Sequence, residues 1–553
     1  MQQHYIGRVL RVQDGIFFVS PITGLTIGEV VHVYTKKNEI LYGLVFDIDI
    51  VMSRLVLLTG DLTALEVGQR VMRTQASPVT RAGRGVLGHI VGTFGEFFPT
   101  DDIDNMDVME YFLLKNCYSL FIPIVQRSPT ILERMPVRCP LYTGTIAVDC
   151  FFPIGRGQRQ LFIGDNKSGK TTLALTTLIN QRRVNAEALT LMPSLFERME
   201  VGLHVSSLLF TPCIYVALGQ RRAEVVRIYR FLEEKNALYY TCIVFAGTEM
   251  GGCEPYLAPY AGSAIGEWFR SYGYHALIIY DDLTAHAIAY RQLSLLLRRP
   301  PSREAFPADI FFLHARLLER AAQLNFVLGA GSLTAIPIIE TQLEDIAAYI
   351  PTNVISITDG QIFLSRKLAN GGQQPAVDFG LSVSRIGTSA QTPIYAEMSK
   401  RIRQIYASYR RVKATEKMGG QSTAETKASI KRGKRIHMLV GQPQYHTYTV
   451  IQQLFGVYFL AGKLLEDVPE QYTRLFLSFI LNEELMRTYI PYTVRNLFEG
   501  PALADVTLMS HTFSVDYLFA GVGERIRSVV KYMLEVFEVN EKVQDVFLAF
   551  ASL

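Results

Sequence analysis

The 553-residue sequence has no C-x-x-C pair among its six cysteines, Cys117, Cys139, Cys150, Cys213, Cys242 and Cys253. That absence removes support for zinc and thioredoxin-type chemistry. Single cysteines scattered along a long polypeptide read as reduced, buried apolar residues of an intracellular protein. The sequence also has no uncharged apolar stretch fit to cross a bilayer. Ala321–Ile339 has the length, but Gln323, Asn325, two glycines, Ser332, Thr334 and Pro337 make it too polar. Leu454–Gly462 is apolar but about half as long as a span requires. The opening residues carry neither a signal-peptide core nor the Arg/Ser-rich pattern of a transit peptide, so they predict a mature form or a protein made where it works. A large charge excess is missing too: 55 basic residues face 51 acidic ones, and the net +4 reads as spread along the sequence. It gives no reason to expect a nucleic-acid partner or a membrane surface. There is no internal repeat and no low-complexity tract.

What is present reads as three regions. Residues 1–75 hold short β-type runs (Tyr5–Val12, Ile16–Val19, Glu29–Tyr34, Leu41–Phe46, Leu55–Leu58) broken by turn signals such as Asp14-Gly15 and Gly60-Asp61. Such spacing predicts a small antiparallel barrel. Over residues 76–390, β-rich apolar runs (Gln160–Ile163, Ile214–Leu218, Thr241–Phe245, Ala276–Tyr280, Val354–Ile357) alternate with helical stretches, the pattern of a parallel sheet covered by helices. Val184–Pro212 is long for a connection and reads as an insertion at about 184–212. Residues 391–553 lose the β signal. Lys400–Lys417, Ala424–Leu439, Tyr448–Leu465, Tyr472–Met486 and Gly523–Phe537 predict a helical bundle. The fold class expected is therefore multidomain α/β: N-terminal barrel, central nucleotide-binding domain, C-terminal helices.

The central region earns that description from Gly164, Asp165, Asn166, Lys167, Ser168, Gly169, Lys170 and Thr171, which fit G-x-x-x-x-G-K-[ST] at every fixed position. The motif follows the run Gln160–Ile163 and opens a helix expected over Thr172–Asn180. Glycines let the backbone wrap a phosphate so that N–H groups point at it, and the helix N-terminus adds a favourable dipole. Lys170 is expected on the β and γ phosphates, and the Thr171 hydroxyl on magnesium. A second element, Ala276–Asp281, is an apolar strand ending in a carboxylate, the arrangement by which Asp281 would sit near that magnesium. Asp282 is the neighbouring carboxylate, with helix capping near Thr284 as its alternative role.

Longer blocks carry a family resemblance. Pro153–Gln160 running into Gly164-Asp165, with Tyr256–Tyr260, Ala289–Gln292, Leu296–Pro301, Leu317–Ala321, Ile350–Gln361 and Gly380–Arg385, closely resembles the alpha subunit of F-type ATP synthase. The match is specific over about 140–395, looser in the barrel, and divergent at the C-terminus. The resemblance implies a RecA-like core, Mg-ATP or Mg-ADP as the bound nucleotide, and beta subunits as partners in an alternating three-to-three ring. It further implies a central rotor stalk, a peripheral stalk, and indirect association with a proton-translocating membrane sector. In the catalytic beta subunit the strand after the phosphate-loop helix ends in Gly-Glu-Arg; here it ends in Gly219-Gln220, and an amide cannot accept a proton from water at neutral pH. The expected site therefore holds nucleotide and does not consume it. Arg385, in Val383-Ser384-Arg385, matches the arginine that alpha subunits extend into the neighbouring beta site, where a guanidinium supplied in trans is worth roughly 10³–10⁵ in rate in other nucleotidases. Gln442 and Gln444 resemble the family's adenine-contacting pair. Glu340 matches a block near the nucleotide, with a structural hydrogen-bonding role as its alternative.

Departures accompany the match. Asn166-Lys167 replaces the usual Arg-Gln, Gln374 precedes Pro375 where the family has Arg-Pro, and the sequence starts almost at the barrel, without the helix that contacts the peripheral stalk. The compartment expected is the mitochondrial inner membrane, matrix side, with bacterial plasma membrane or plastid thylakoid as the alternative. Two other functions compete. A catalytic beta-type hexameric ATPase requires a carboxylate at position 220. An RNA translocase of the transcription-terminator type requires basic and aromatic residues arranged on the barrel to stack bases, and residues 1–75 show no such arrangement.

Overall fold

The computed structural model describes residues 6–13, 16–36, 39–59, 64–98, 119–196, 210–247, 253–417 and 424–461, with Thr473, Leu477 and Leu481. These form two compact units: Met1–Pro136, Arg156–Ala174 and Arg182–Ile362 make the first, and Val137–Gly155, Leu175–Gln181 and Phe363–Leu553 the second.

In the first unit six antiparallel strands close into a barrel: Ile6–Gln13, Ile16–Val19, Val30–Tyr34, Ile40–Ile48, Ser53–Thr59 and Arg70–Ala76, in the order first, second, fifth, fourth, third, sixth. Alternation turns Val9, Phe17, Val31, Val33, Leu55 and Val71 into a common core. The sixth strand is absent from the sequence expectation. Arg70, Arg73, Thr74 and Gln75 hide its β character, yet it pairs with both the first and the third strands and so closes the barrel. Its Arg73 meets the buried Glu29 carboxylate at 2.9 Å, and Glu29 also accepts the Gln75 N–H at 2.7 Å.

Next comes an eight-stranded sheet, seven strands of which run in the order Gly360–Leu364, Leu161–Asp165, Ser332–Thr341, His275–Asp281, Cys213–Leu218, Thr241–Ala246, Ile90–Val91. The pairings from Leu161–Asp165 to Ile90–Val91 are parallel. Near-continuous apolar sequence follows from burial on both faces, and the registers Asp165↔Thr341 and Ala217↔Asp281 bring the carboxyl ends of the strands level. Ligands in open α/β sheets bind along that edge. One sequence expectation fails here and one strand was not foreseen. Val354–Ile357, a strand by its β-branched residues, lies in the helix Tyr349–Ile357, and the strand is the following Gly360–Leu364. Tertiary context overrides a short propensity signal. Ser332–Thr341, part of the run considered only as a membrane span, is a central strand. The helix expected over Thr172–Asn180 runs from Lys170 to Phe196, through the start of the supposed insertion; residues 197–209 of that insertion lie outside the described residues.

The second unit contains the helices Ile146–Phe151, Pro393–Lys417, Ala424–Val440 and Val450–Ala461. Mid-helix Gly433 is required because a Cβ there would overlap the Tyr409 ring. Buried Asp149 accepts from the Thr143 N–H and hydroxyl at 2.8 Å each, the Gly144 N–H at 3.0 Å and the Gln453 amide at 2.9 Å. Burial nevertheless pushes its carboxyl up to about 6. The helices Pro393–Lys417 and Ala424–Val440 together carry twelve Lys or Arg against three Glu, so the basic surplus is concentrated there and not spread along the sequence. Gly523–Phe537 and most of Tyr472–Met486 lie outside the described residues. Among the described residues no helix is long and apolar enough to cross a membrane.

Candidate nucleotide-binding site

Strand Leu161–Asp165 feeds directly into the loop, and the helix begins at Lys170. The turn between them places Lys167 at φ 61° and Gly169 at φ 94°; at Gly169 the left-handed backbone accounts for the glycine. Asp165 anchors the loop, since its carboxylate accepts the Thr341 hydroxyl at 2.6 Å and the Glu344 N–H at 2.8 Å. Asn166 and Lys167 are exposed. Ser168 Oγ is buried without a hydrogen-bond partner, an arrangement that fits a polar ligand in the loop. Lys170 is only 7% exposed, and its ammonium donates to the Asp165 carbonyl at 2.6 Å. Burial lowers the Lys170 pKa, opposed by the carboxylates of Glu340, Asp282, Asp281 and Asp165.

Asp281 collects the other side of the site. Its Oδ2 accepts the Thr171 hydroxyl at 2.8 Å and the Tyr215 hydroxyl at 2.6 Å. Burial raises the Asp281 pKa, while hydrogen bonds from Tyr215 and Thr171 and the charge of Lys170 pull it back. Burial and the Asp281 charge hold the Tyr215 phenol well above its usual range, so it remains a donor. Gln220 Nε2 lies 3.3 Å from the Asp281 carbonyl and 3.5 Å from the Tyr215 hydroxyl, and its Oε1 is buried without a partner. Asp282 has the capping role: its carboxylate accepts the Ala285 N–H at 2.7 Å at the start of the helix Leu283–Leu296. Burial pushes Asp282 up to about 7. Glu340 stands in register with Gly164, and its N–H donates to the Thr284 hydroxyl at 3.0 Å.

Thr171 and Asp281 thus present two hard oxygen donors side by side, a fit for magnesium. Among the described residues no group of three His, Cys, Asp or Glu could hold a metal. An ion here would complete its shell from phosphate and water, as magnesium does in phosphate sites.

Gly164–Thr171, Gln220, Asp281, Asp282 and Glu340 are therefore assembled in the first unit. Arg385, Gln442 and Gln444 belong to the second. Arg385 is exposed, just after Ser384, whose hydroxyl donates to the Pro153 carbonyl at 2.9 Å. The Gln442 amide is engaged within its own unit: Nε2 donates to the Gly144 carbonyl at 2.8 Å and to the His446 carbonyl, and Oε1 accepts the Ile146 N–H at 3.3 Å. Its N–H donates to the Gln374 carbonyl at 2.7 Å. Gln444 is exposed. Tyr215 is the site residue that sequence reasoning missed. It stands in a strand buried on both faces, where an aromatic reads as core filling, and only its diagonal relation to Asp281 reveals the hydroxyl's partner.

The model of the nucleotide-binding domain of the ATP synthase alpha/beta family matches residues 144–384, and that of the C-terminal domain of the ATP synthase alpha/beta chain matches residues 391–497. ATP synthase subunit alpha of Rickettsia canadensis is 41% identical over 478 residues, which span 86% of this protein and 87% of the relative. ATP synthase subunit alpha of Neorickettsia sennetsu is 43% identical over 449 residues, spanning 81% and 82%. With the phosphate loop, its aspartate and the parallel sheet in place, these matches show that the chain belongs to the ATP synthase alpha-subunit family.

Proposed function

We propose that this protein is the non-catalytic, nucleotide-holding alpha subunit in the soluble head of a proton-translocating ATP synthase. The observation that carries the reading is Gln220, an amide placed against the Asp281 carbonyl where hydrolysis would need a carboxylate. Its Nε2 donates and its Oε1 accepts hydrogen bonds, but neither takes a proton from an attacking water at neutral pH. In the loaded site the loop N–H groups and Lys170 hold the phosphates of ATP or ADP, with Ser168 Oγ as a further donor. Thr171 and Asp281 would hold magnesium, which would supply neutralisation of phosphate charge. Gln444, whose side chain is exposed, is the member of the glutamine pair assigned to adenine, since the Gln442 amide is engaged by its own unit.

Arg385 is assigned to the neighbouring beta subunit's site, where its guanidinium stabilises the charge that develops on the transferred phosphoryl group. The assembly is the alternating three-to-three ring with beta subunits, bearing on the central and peripheral stalks and, through them, on the membrane sector. The compartment assigned is the matrix side of the mitochondrial inner membrane, with the bacterial plasma membrane or plastid thylakoid as the alternative. The regions assigned are the barrel at 1–75, the nucleotide domain at 76–390 and the helical domain at 391–553. The full-length protein, incubated with Mg-ATP, binds it and releases negligible phosphate. Rapid hydrolysis without a beta partner contradicts the reading.

A further inference from the structure

We propose that Tyr215 is a positioning residue for the metal side of the nucleotide site: its buried hydroxyl fixes the Asp281 carboxylate in the orientation that, with Thr171, receives magnesium. The inference rests on the reading that Gly164–Thr171 binds a magnesium–nucleotide.

Strands Cys213–Leu218 and His275–Asp281 are parallel neighbours, with Tyr215 opposite Ile279 and Ala217 opposite Asp281. Side chains two residues apart on a strand share a face. Tyr215 therefore lies diagonally across from Asp281, a separation that an aromatic side chain spans. Its ring is fully buried and its hydroxyl donates to Asp281 Oδ2 at 2.6 Å. The same oxygen accepts from Thr171 at 2.8 Å.

The two donors differ in what a metal would do to them. Thr171 belongs to the phosphate loop, and its oxygen becomes a ligand when the ion binds. Tyr215 is mounted on the strand Cys213–Leu218 and is not part of the loop. Its bond is the one that holds the carboxylate whether or not the ion is present. A carboxylate torsion is broad and roughly two-fold when nothing fixes it, and partners that orient metal ligands typically account for about 10–100-fold in metal affinity. Gln220, 3.5 Å from the same hydroxyl, extends this series of contacts from the metal side toward the position that a catalytic carboxylate would take. Phenylalanine at 215 preserves the volume of the ring and removes only the hydroxyl, so core packing is retained.

The test titrates Mg²⁺ into the full-length protein with ATP and measures nucleotide affinity calorimetrically, with a parallel series in EDTA. Tyr215→Phe weakens the Mg²⁺-dependent gain in affinity about 10-fold, and leaves the EDTA affinity unchanged. Mn²⁺ used as the probe shows a broadened electron paramagnetic resonance spectrum in the variant. An unchanged Mg²⁺ dependence overturns the proposal. So does an equal fall in the EDTA and Mg²⁺ series, which marks a merely structural role. Should Tyr215→Phe not fold, 3-fluorotyrosine at 215, a stronger donor of nearly the same shape, shifts the Mg²⁺ titration toward tighter binding; no shift overturns the proposal. Wild-type protein that binds no nucleotide defeats the underlying reading, whereas wild-type Mg²⁺-dependent binding matched by Tyr215→Phe defeats this inference alone.

Discussion

The strand that ends at Asp165 and the strand that ends at Leu218 belong to one sheet but do different work. The first runs into Gly164–Thr171, a loop built for any nucleoside phosphate: left-handed backbone at Gly169, a buried lysine, an unpartnered Ser168 hydroxyl. The second runs into Gly219-Gln220, where, in the proposed reading, one atom type decides whether bound nucleotide is consumed. Exchanging a carboxylate oxygen for an amide nitrogen costs little volume but removes the proton acceptor. In the proposed reading, holding and turnover are thus assigned to separate strand ends, and the group expected to act on turnover, Arg385, is carried by the other unit.

The largest effect expected from breaking this division is on Arg385. Arg385→Ala in an assembled head lowers steady-state ATPase by about 10³-fold or more, while nucleotide retained at Gly164–Thr171, read by filtration and chromatography, is unchanged. Equal loss of both merges the two roles. Next is Lys170→Ala. Removing a buried charged donor costs about 1.5–3 kcal/mol, so calorimetry shows nucleotide affinity lower by roughly 10–100-fold in this subunit, with the chemical step in beta sites spared. A perturbation remote from both strand ends sharpens the contrast. Arg73→Ala leaves Glu29 buried and unpaired in the barrel, at a cost of about 3 kcal/mol by denaturant titration, without changing nucleotide affinity. Its pH signature has a definite sign. Burial pulls the Glu29 pKa upward, but Arg73, the Gln75 N–H and Thr26 outweigh it, and the folded value lies below the ordinary one. The stability it contributes is present above the ordinary carboxylate range and fades as pH falls. Arg73→Ala therefore begins to unfold at higher pH than the wild type on acidification. The smallest effect is on binding in Gln220→Glu: the added charge beside Asp281 shifts Mg-ATP affinity by less than about 10-fold, or 1.4 kcal/mol.

The loop, Asp281 and Gln220 are legible in the sequence because each is a local pattern: a fixed spacing, an apolar strand ending in a carboxylate, a residue type at a strand terminus. What escapes is non-local. Tyr215 acquires its role only when parallel pairing places it diagonally from Asp281. Arg70–Ala76 is polar enough to pass for a linker until two barrel neighbours claim its backbone. Val354–Ile357 shows the reverse failure, a β-branched run that packing holds in a helix. Gln442 suggests base recognition by its amide, but the amide's donors and acceptor are met by Gly144, His446 and Ile146; the Gly144 and Ile146 contacts lie about 300 residues away in sequence, where spacing cannot reveal them. The charge balance misleads in another way, since a net +4 overall conceals twelve basic residues gathered on two helices.

Single-turnover phosphate release shows whether this protein holds nucleotide without consuming it. The purified full-length protein, loaded with γ-labelled Mg-ATP and separated from free nucleotide, is followed over hours. Label is expected to stay on intact ATP and to leave only as ATP. Steady release of labelled phosphate without any beta subunit, abolished by Lys170→Ala, would contradict it.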